Sequence, residues 1–202
     1  MPPDWPLSVC ITGFAGTWPS FDRAMEILAS NYFVQRLVVI LLLFLWFGTR
    51  DSLRREHNQR IIICASIGMG LGFLFAESLV LIQNASGDFW ARPYDNHPEA
   101  LRAMNLMAFR LPDFSFPSNA ICGLAPVAFI LWFADRRVSV IVWTLVLIWG
   151  MGRIYVGIHY PIDIVGGIVI GCIAAILAMK LATALDRLIT LTLNIGKRLY
   201  LA

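Results

Sequence analysis

Five apolar segments separated by short polar stretches constrain the fold of this chain more than any other feature of its sequence. They lie at about residues 33–49, 61–84, 118–134, 138–152 and 163–185. Each approaches the length of about 20 apolar residues that an α-helix needs to cross the hydrocarbon core of a membrane. Only 14% of the residues are charged, well below the roughly 25% of soluble domains. The pattern predicts an all-α fold, a polytopic transmembrane helical bundle of about five spans.

The same pattern divides the 202 residues into three parts of a single membrane domain. Residues 1–32 contain four prolines, which break any long helix, and from Ser20 onward their apolar residues recur at helical spacing. We therefore expect an interfacial N-terminal helix there. Residues 33–185 form the predicted transmembrane core, and residues 186–202 form a predicted amphipathic tail on the cytoplasmic side.

Basic residues predict which side of the membrane each connection faces. The loop 50–60 carries four arginines, the turn 134–137 carries two, and residues 186–202 carry three basic side chains. Five spans place all three regions on one side, which the positive-inside rule makes cytoplasmic. The long loop 85–117 and the loop 153–162 then share the opposite, external side.

Three ionisable residues within eleven positions mark the second external loop. The run RIYVGIHYPID places Arg153, His159 and Asp163 between two apolar segments. Placing a charged residue beside the hydrocarbon of a membrane costs free energy, so three ionisable residues close together indicate a function. An Arg can hold two phosphate oxygens, a His can attack or shuttle a proton, and an Asp can fix the His tautomer. The competing interpretation is a loop with an incidental His and a helix-capping Asp.

The long external loop carries a second set of candidate residues. FWARPYDNHPE contains Arg92 before Pro93, and the loop ends in DFSFPSNA, where Ser118 follows Pro117 just before an apolar segment. A helix start of this kind presents backbone N–H groups that bind anions, and a Ser hydroxyl adds a donor. The competing interpretations are an ordinary helix cap for Ser118 and a solvated loop residue for Arg92.

Taken in order, these motifs resemble the membrane branch of the type 2 phosphatidic acid phosphatase and vanadium haloperoxidase superfamily, over about residues 60–185. The compact length and the sequence motifs RPY and FPSN are most similar to those of bacterial undecaprenyl-diphosphate phosphatases. The resemblance implies an integral membrane lipid-phosphate phosphatase that hydrolyses a polyprenyl diphosphate through a phospho-histidine intermediate, with no metal and no other cofactor. It also implies a bacterial inner, or plasma, membrane location with the active site facing the periplasm.

The resemblance assigns a role to each motif residue. His159 corresponds to the nucleophile that takes up the phosphoryl group, and Asp163 corresponds to the residue that orients the other ring nitrogen. Four residues correspond to the substrate-binding set that holds phosphate oxygens: Arg92, Ser118, Asn119 and Arg153.

Two positions depart from the family pattern. Ala85 stands where the first motif has a Lys, and Ala120 stands where the second motif has the His that protonates the leaving oxygen. A general acid typically contributes about 10²–10⁴-fold to a rate, so we expect this chain to be impaired at that step. Ala120 fits either a natural pseudoenzyme or an introduced substitution, and the otherwise intact pattern favours the latter.

Alternatives to hydrolysis stay open at this point. Ala120 also fits a catalytically inactive protein that binds or transports a lipid phosphate, and the same nucleophile would serve a lipid phosphotransferase. In each case the expected partners are a lipid phosphate or diphosphate and the surrounding membrane lipids. The net charge of +3 is too small to indicate nucleic acid, and the sequence leaves the oligomeric state undetermined.

Two further ionisable residues have both a functional and an ordinary interpretation. Glu77 lies inside the second apolar segment, where a carboxylate is a candidate for function. Its ordinary interpretation is a neutral side chain hydrogen-bonded to a neighbouring helix. His97 is a candidate substitute proton donor, but we expect it to be a solvated loop residue.

Overall fold

The computed structural model describes residues 2–30, 32–87, 90–107, 110–111 and 113–199. Within these ranges the regular structure is helical, which confirms the predicted all-α fold. The ten helices are α1 (Trp5–Thr12), α2 (Pro19–Ala29), α3 (Phe33–Phe47), α4 (Ser52–Ser86), α5 (Pro93–Asn96), α6 (Pro98–Met107), α7 (Asn119–Leu131), α8 (Arg136–Tyr155), α9 (Pro161–Ala184) and α10 (Asp186–Arg198).

Three long helices can cross a membrane by length and composition, namely α4, α8 and α9. A fourth span results if α2 and α3, which are bent by 57° relative to each other, are taken together. The shorter apolar helix α7 corresponds to the third predicted segment. The five apolar segments of the sequence therefore correspond to α3, α4, α7, α8 and α9 of a polytopic bundle.

The centre of the bundle consists of α4, α7 and α9, which pack against one another, with α8 against α7. Small residues allow this close packing. A Cβ atom on Gly72 of α4 would overlap the backbone carbonyl of Cys122 on α7, and one on Gly171 of α9 would lie 2.7 Å from the Cβ of Ala125. Because helices in lipid associate through van der Waals contact rather than through the hydrophobic effect, such approach is their main source of packing energy.

The connection predicted as a loop over residues 50–60 is helical from Ser52 onward. The side chain of Asp51 accepts a hydrogen bond from the backbone N–H of Leu53 and caps the helix. The sequence prediction ended the span where the apolar residues end, but strong helix formers such as Leu and Arg extend the helix into the polar flank. The arginines of this region therefore lie on the first turns of α4.

One end of the bundle, here called the basic end, brings together three basic regions of the sequence. Arg60 of α4 donates to Asp186 at 2.8 Å, Lys197 of α10 pairs with Glu56 at 2.9 Å, and Arg54 lies 3.8 Å from Asp135 beside α8. The start of α4, the α7–α8 turn and the tail therefore share one end. The short helices α5 and α6 and the α8–α9 connection lie at the other, here called the site end.

Candidate active site

A cavity of about 310 Å³ opens at the site end of the bundle. Residues from α3, α4, α7, α8 and four connections line it: Tyr32, Gln35, Phe73, Arg92, Leu111, Asp113, Asn119, Ala120, Arg153 and His159. Residues that are up to 127 positions apart in the sequence thus face one space, and five of the seven predicted site residues are among them. The remaining two, Ser118 and Asp163, are buried and lie next to His159.

The α8–α9 connection places His159 at the floor of this cavity. Gly157 follows the end of α8 with a φ of +77°, a conformation that residues with a side chain rarely adopt. A Cβ atom at this position would also lie 2.5 Å from the backbone oxygen of Ala100. The glycine therefore lets the chain reverse tightly against α6, between Arg153 on the last turn of α8 and Asp163 on the first turn of α9.

The two ring nitrogens of His159 have different environments. Nδ1 lies 3.0 Å from the backbone carbonyl oxygen of Ser115 and 3.5 Å from Oδ2 of Asp163. Because a carbonyl oxygen can only accept, Nδ1 carries the proton and the lone pair is on Nε2. Nε2 lies 3.3 Å from Oγ of Ser118 and 3.4 Å from Nη1 of Arg153. Nε2 therefore lies between two groups that can donate a hydrogen bond to it, the Ser118 hydroxyl and the Arg153 guanidinium.

Burial keeps the His159 ring neutral. Its exposed fraction is 1%, and desolvation lowers its pKa to about 4, assisted by the nearby charges of Arg92 and Arg153 and opposed by Asp163. At neutral pH the ring is therefore unprotonated at Nε2, which is the form that can attack an electrophile.

Asp163 acts on the histidine partly through a residue that the sequence did not indicate. Its Oδ2 accepts from Oγ of Ser115 at 2.6 Å and from the backbone N–H of Tyr160 at 2.7 Å. Its own backbone oxygen accepts from the N–H of Ser118 at 3.2 Å. The carboxylate thus holds the segment whose Ser115 carbonyl contacts Nδ1. The backbone oxygen of Asp163 connects the second motif to the third. Ser115 carries this contact on its backbone, which has no sequence signature.

Arg92 is held by acceptors of the protein itself. Nε donates to the backbone oxygen of Asp113 at 2.9 Å, and Nη1 donates to that of Ile158 at 3.0 Å. Nη2 donates to Oδ1 of Asp113 at 2.7 Å and to the backbone oxygen of Phe114 at 3.0 Å. Four of the five guanidinium N–H groups are therefore directed at protein oxygens. The sequence did not predict Asp113, which lies 21 residues away in the same long connection.

Arg153 is the second cationic residue of the cavity and is also almost fully buried. Its guanidinium lies over the ring of Trp149, 4.9 Å from the centroid. A guanidinium on an aromatic face keeps its N–H edge available for in-plane hydrogen bonds. That edge is directed towards Nε2 of His159.

The start of α7 forms the opposite wall of the cavity. Ser118 precedes the helix and its hydroxyl contacts His159 rather than capping the helix. The side chain of the next residue, Asn119, donates from Nδ2 to Oε1 of Glu77 on α4 at 2.8 Å. Ala120 lies within the first turn and contributes only a methyl group to the wall. Asn119 thus contributes its backbone to the cavity wall, while its side chain binds Glu77.

The prediction that His97 is a solvated loop residue is wrong. It has an exposed fraction of 8%, and its ring stacks on Trp5 with centroids 5.3 Å apart. The same ring packs edge to face with Tyr160, with ring centroids 6.2 Å apart. The sequence could not show this, because the partner Trp5 is 92 residues away. His97 packs between the N-terminal segment and the α8–α9 connection and does not line the cavity.

Known proteins resemble the chain in both sequence and fold. The model of the PAP2 superfamily matches residues 80–187. Undecaprenyl-diphosphatase BcrC from Bacillus subtilis (strain 168) is 26% identical over 175 residues, which cover 85% of this chain and 81% of BcrC. The crystal structure of LpxE from Aquifex aeolicus superposes with a TM-score of 0.58 at 20% identity, covering 89% of this chain and 96% of that one.

A second solved structure gives the same result. The PAP2-type phosphatidylglycerolphosphate phosphatase from Bacillus subtilis superposes with a TM-score of 0.55 at 20% identity, covering 89% of this chain and 86% of that one. These two likenesses establish a shared helical fold. The family match covers just over half of the chain and contains both arginines, the serine, the histidine and the aspartate of the motifs. The chain therefore belongs to the PAP2 superfamily and is a membrane phosphatase of the PAP2 type.

Proposed function

We propose that this protein hydrolyses a polyprenyl diphosphate, of the undecaprenyl class, to the monophosphate through a phospho-histidine formed on His159. The observation that carries the proposal is the tautomer of the His159 ring and the position of its Nε2 atom. Nδ1 is bound to the carbonyl of Ser115, and the lone pair of Nε2 is directed between Ser118 and Arg153. A buried neutral imidazole with one nitrogen fixed and the other beside two phosphate-binding groups is suited to nucleophilic attack on phosphorus.

In the first step, Nε2 of His159 attacks the terminal phosphorus and the lipid monophosphate leaves. Nδ1 keeps its proton throughout, so the imidazolium that forms is stabilised by the carbonyl of Ser115 and by Asp163. Water then attacks the phosphorus, the P–N bond breaks, and inorganic phosphate leaves while the ring returns to its neutral form. Asp163 serves here as a positioning residue.

Charge on the transferring phosphoryl group is stabilised by groups already placed around Nε2. Arg153 and the hydroxyl of Ser118 lie beside the attacking nitrogen, and the N-terminal N–H groups of α7 are directed towards the same space. The acceptors of Arg92 among the described residues leave one of its N–H groups unused. A bound phosphate therefore either uses that group or displaces the Asp113 carboxylate from Nη2.

The choice of a diphosphate rests on leaving-group chemistry and on the relatives. A diphosphate releases a phosphate anion, which needs little protonation, whereas a phosphomonoester releases an alkoxide, which needs much. Ala120 supplies no proton, so the reaction with the lower demand is favoured. BcrC is a named undecaprenyl-diphosphatase. A neighbouring cavity of about 530 Å³, which shares Tyr32 with the site and has apolar residues such as Phe33 and Leu106, provides room for a lipid chain.

We further propose that the site end faces the periplasm of a bacterial inner membrane and that the basic end is cytoplasmic. The ion pairs that gather the arginines of α4, the α7–α8 turn and α10 at one end support this orientation. In this arrangement residues 1–32 lie at the outer interface, and α10 lies along the inner one.

Ala120 is the observation that favours the second candidate, a lipid-phosphate binding protein without turnover. Binding alone does not require a histidine with a fixed tautomer and an available lone pair, so the geometry around His159 favours the enzyme. Transfer of the phosphoryl group from His159 to a second lipid instead of water is a variant of the same chemistry.

Phosphate release from undecaprenyl diphosphate in liposomes tests the proposal. The parent protein should release inorganic phosphate, and His159→Ala should release none while retaining its fold. His57→Ala is the matched control, because His57 is an exposed histidine at the basic end. Binding of the lipid without phosphate release by either parent or Ala120→His would favour the binding protein, and labelled phosphate on a second lipid would favour the transferase.

A further inference from the structure

We propose that Glu77, held by Asn119, is the general acid that protonates the leaving oxygen in this chain. The inference deepens the proposed function and rests on it. Phosphoryl transfer to His159 leaves negative charge on the departing oxygen. The need for an acid is small when a lipid diphosphate releases a phosphate anion, and large when a lipid phosphomonoester releases an alkoxide, which cannot leave unprotonated at a useful rate.

One hydrogen bond, to Asn119, connects Glu77 to the lining of the cavity, and the position of Glu77 on α4 agrees with it. Asn119 and Ala120 line the cavity together with His159, and Nδ2 of Asn119 donates to Oε1 of Glu77 at 2.8 Å. Phe73, which also lines the cavity, lies four residues before Glu77 on α4 and therefore on the same helix face. The carboxyl group is thus one hydrogen bond away from the cavity lining, and the small methyl group of Ala120 leaves room for it to approach a bound substrate.

The amide of Asn119 can hold Glu77 in both of its protonation states. Nδ2 donates to the carboxylate, whereas Oδ1 is buried and has no hydrogen-bond partner within the described part of the chain. Rotation of the amide plane brings Oδ1 into position to accept from the O–H of the protonated acid. An amide is suited to this position, because it can complement a group that gives up and regains a proton.

The other two carboxyl groups near His159 are committed to accepting hydrogen bonds. Asp113 pairs with Arg92 at 2.7 Å, and Asp163 accepts from Ser115 and Tyr160 behind the ring. Glu77 takes part in none of the ion pairs among the described residues, and it is exposed.

The reaction balances with Glu77 alone as acid and base. As the bond from Nε2 of His159 to phosphorus forms and the bond from phosphorus to the leaving oxygen breaks, the Glu77 O–H transfers its proton to that oxygen. In the second step the Glu77 carboxylate takes a proton from the attacking water, the P–N bond breaks, and phosphate leaves. His159 ends neutral and Glu77 ends protonated, ready for the next cycle.

Leaving-group dependence separates an acid from a structural residue. Dodecyl phosphate releases an alkoxide that must be protonated, whereas 4-nitrophenyl phosphate releases a stable anion. We expect Glu77→Gln, which keeps an acceptor for Asn119, to lower kcat/KM for dodecyl phosphate by about tenfold or more and for 4-nitrophenyl phosphate by less than about twofold. Glu99→Gln, an exposed carboxylate of α6, should change neither.

The second part of the experiment asks whether a histidine at position 120 restores the activity that Glu77→Gln loses. Adding Ala120→His to Glu77→Gln should return the rate with dodecyl phosphate to within about threefold of that of Ala120→His alone, because either group suffices as the acid. An equal loss on both esters, no loss on dodecyl phosphate, or no rescue in a folded protein would overturn the assignment of Glu77 while leaving the phosphatase in place. Failure of the parent and of Ala120→His to release phosphate from both esters and from undecaprenyl diphosphate would overturn the proposed function and this inference together.

Discussion

The two ends of this bundle hold charge in different ways. At the basic end, the ion pairs join long, partly solvated side chains, such as Arg60 with Asp186, which are 30% and 67% exposed. At the site end, Arg92, Arg153 and Asp163 are each at most 3% exposed. Their partners are backbone groups, a hydroxyl, an aromatic face and, for Arg92, the carboxylate of Asp113. Exposed pairs contribute at most about 1 kcal/mol each, whereas buried charge is costly and persists only with partners that offset the penalty.

This difference indicates what each end does. Charge at the basic end can be moved or removed with little effect on the fold, because its ion pairs are at least partly solvated. Charge at the site end is fixed in place before any substrate arrives, which is the condition for electrostatic stabilisation of a phosphoryl group. Substitutions at the two ends should therefore differ sharply in their effects.

The largest effect among the charged residues should come from Arg153→Ala. Loss of a charge-assisted hydrogen bond to phosphate should weaken binding of inorganic phosphate, measured as competitive inhibition, by about 1.5–3 kcal/mol, or roughly 10–150-fold. Arg153→Lys should recover only part of this, since a point charge replaces a planar fork. Unchanged inhibition by phosphate would remove Arg153 from the binding set.

Asp163→Asn should lower kcat with a smaller effect on phosphate binding. The loss should remain below the about 10⁴-fold that follows when a catalytic histidine takes the wrong tautomer, because the carbonyl of Ser115 still accepts from Nδ1. Ser115→Ala removes one of the two hydrogen bonds to Oδ2 but keeps that carbonyl, and it should therefore cost less than Asp163→Asn. A loss of phosphate binding as large as that of Arg153→Ala would argue that Asp163 acts on the substrate directly.

The pH dependence of kcat/KM tests the buried state of His159. The neutral ring is the nucleophile, and burial lowers its pKa to about 4. With undecaprenyl diphosphate, whose leaving phosphate needs little protonation, the rate should therefore stay level from neutral pH down to about 5 and fall only below that. The profile must be corrected for ionisation of the substrate, measured separately by phosphorus NMR. A half-maximal rate near the ordinary histidine pKa of about 6.5 would show that the ring is solvated.

The smallest effect is expected at the basic end. Arg60→Ala removes contacts to Glu56, Asp186 and Thr190, all of them at least partly solvated. It should lower the free energy of unfolding by about 1 kcal/mol or less and leave kcat unchanged, as measured by thermal unfolding in detergent and phosphate release. A loss of activity here would mean that the two ends are coupled.

The sequence predicted the parts of this structure that rest on patterns within a short stretch of chain. The apolar segments became helices, and the motif residues Arg92, Ser118, Arg153 and His159 meet at one end of the bundle, as their resemblance to the family motifs implied. Contacts made by backbone atoms, or between segments far apart in the chain, could not be predicted from the sequence. The carbonyl of Ser115 leaves no mark in the sequence, and the burial of His97 depends on Trp5.

Two charged contacts of the cavity show the same limit. The sequence identified Glu77 as a functional candidate, but the hydrogen bond to Asn119 depends on how α4 and α7 pack. Likewise, the sequence placed Arg92 on a phosphate, whereas the folded chain also directs four of its N–H groups to protein oxygens. Residue type and spacing reveal which groups are needed, and only packing reveals which of them already have partners.

Trapping of a phosphoryl group on the protein tests the central claim most directly. Liposomes containing the parent protein are mixed with undecaprenyl diphosphate labelled in the terminal phosphate, and the reaction is quenched in alkali within the first turnover. We expect label on the protein that is stable in base, labile in acid and located by mass spectrometry on His159, with none on His159→Ala. Label on another residue, label that persists in His159→Ala, or rapid turnover with no labelled protein at any quench time would contradict a covalent mechanism at His159.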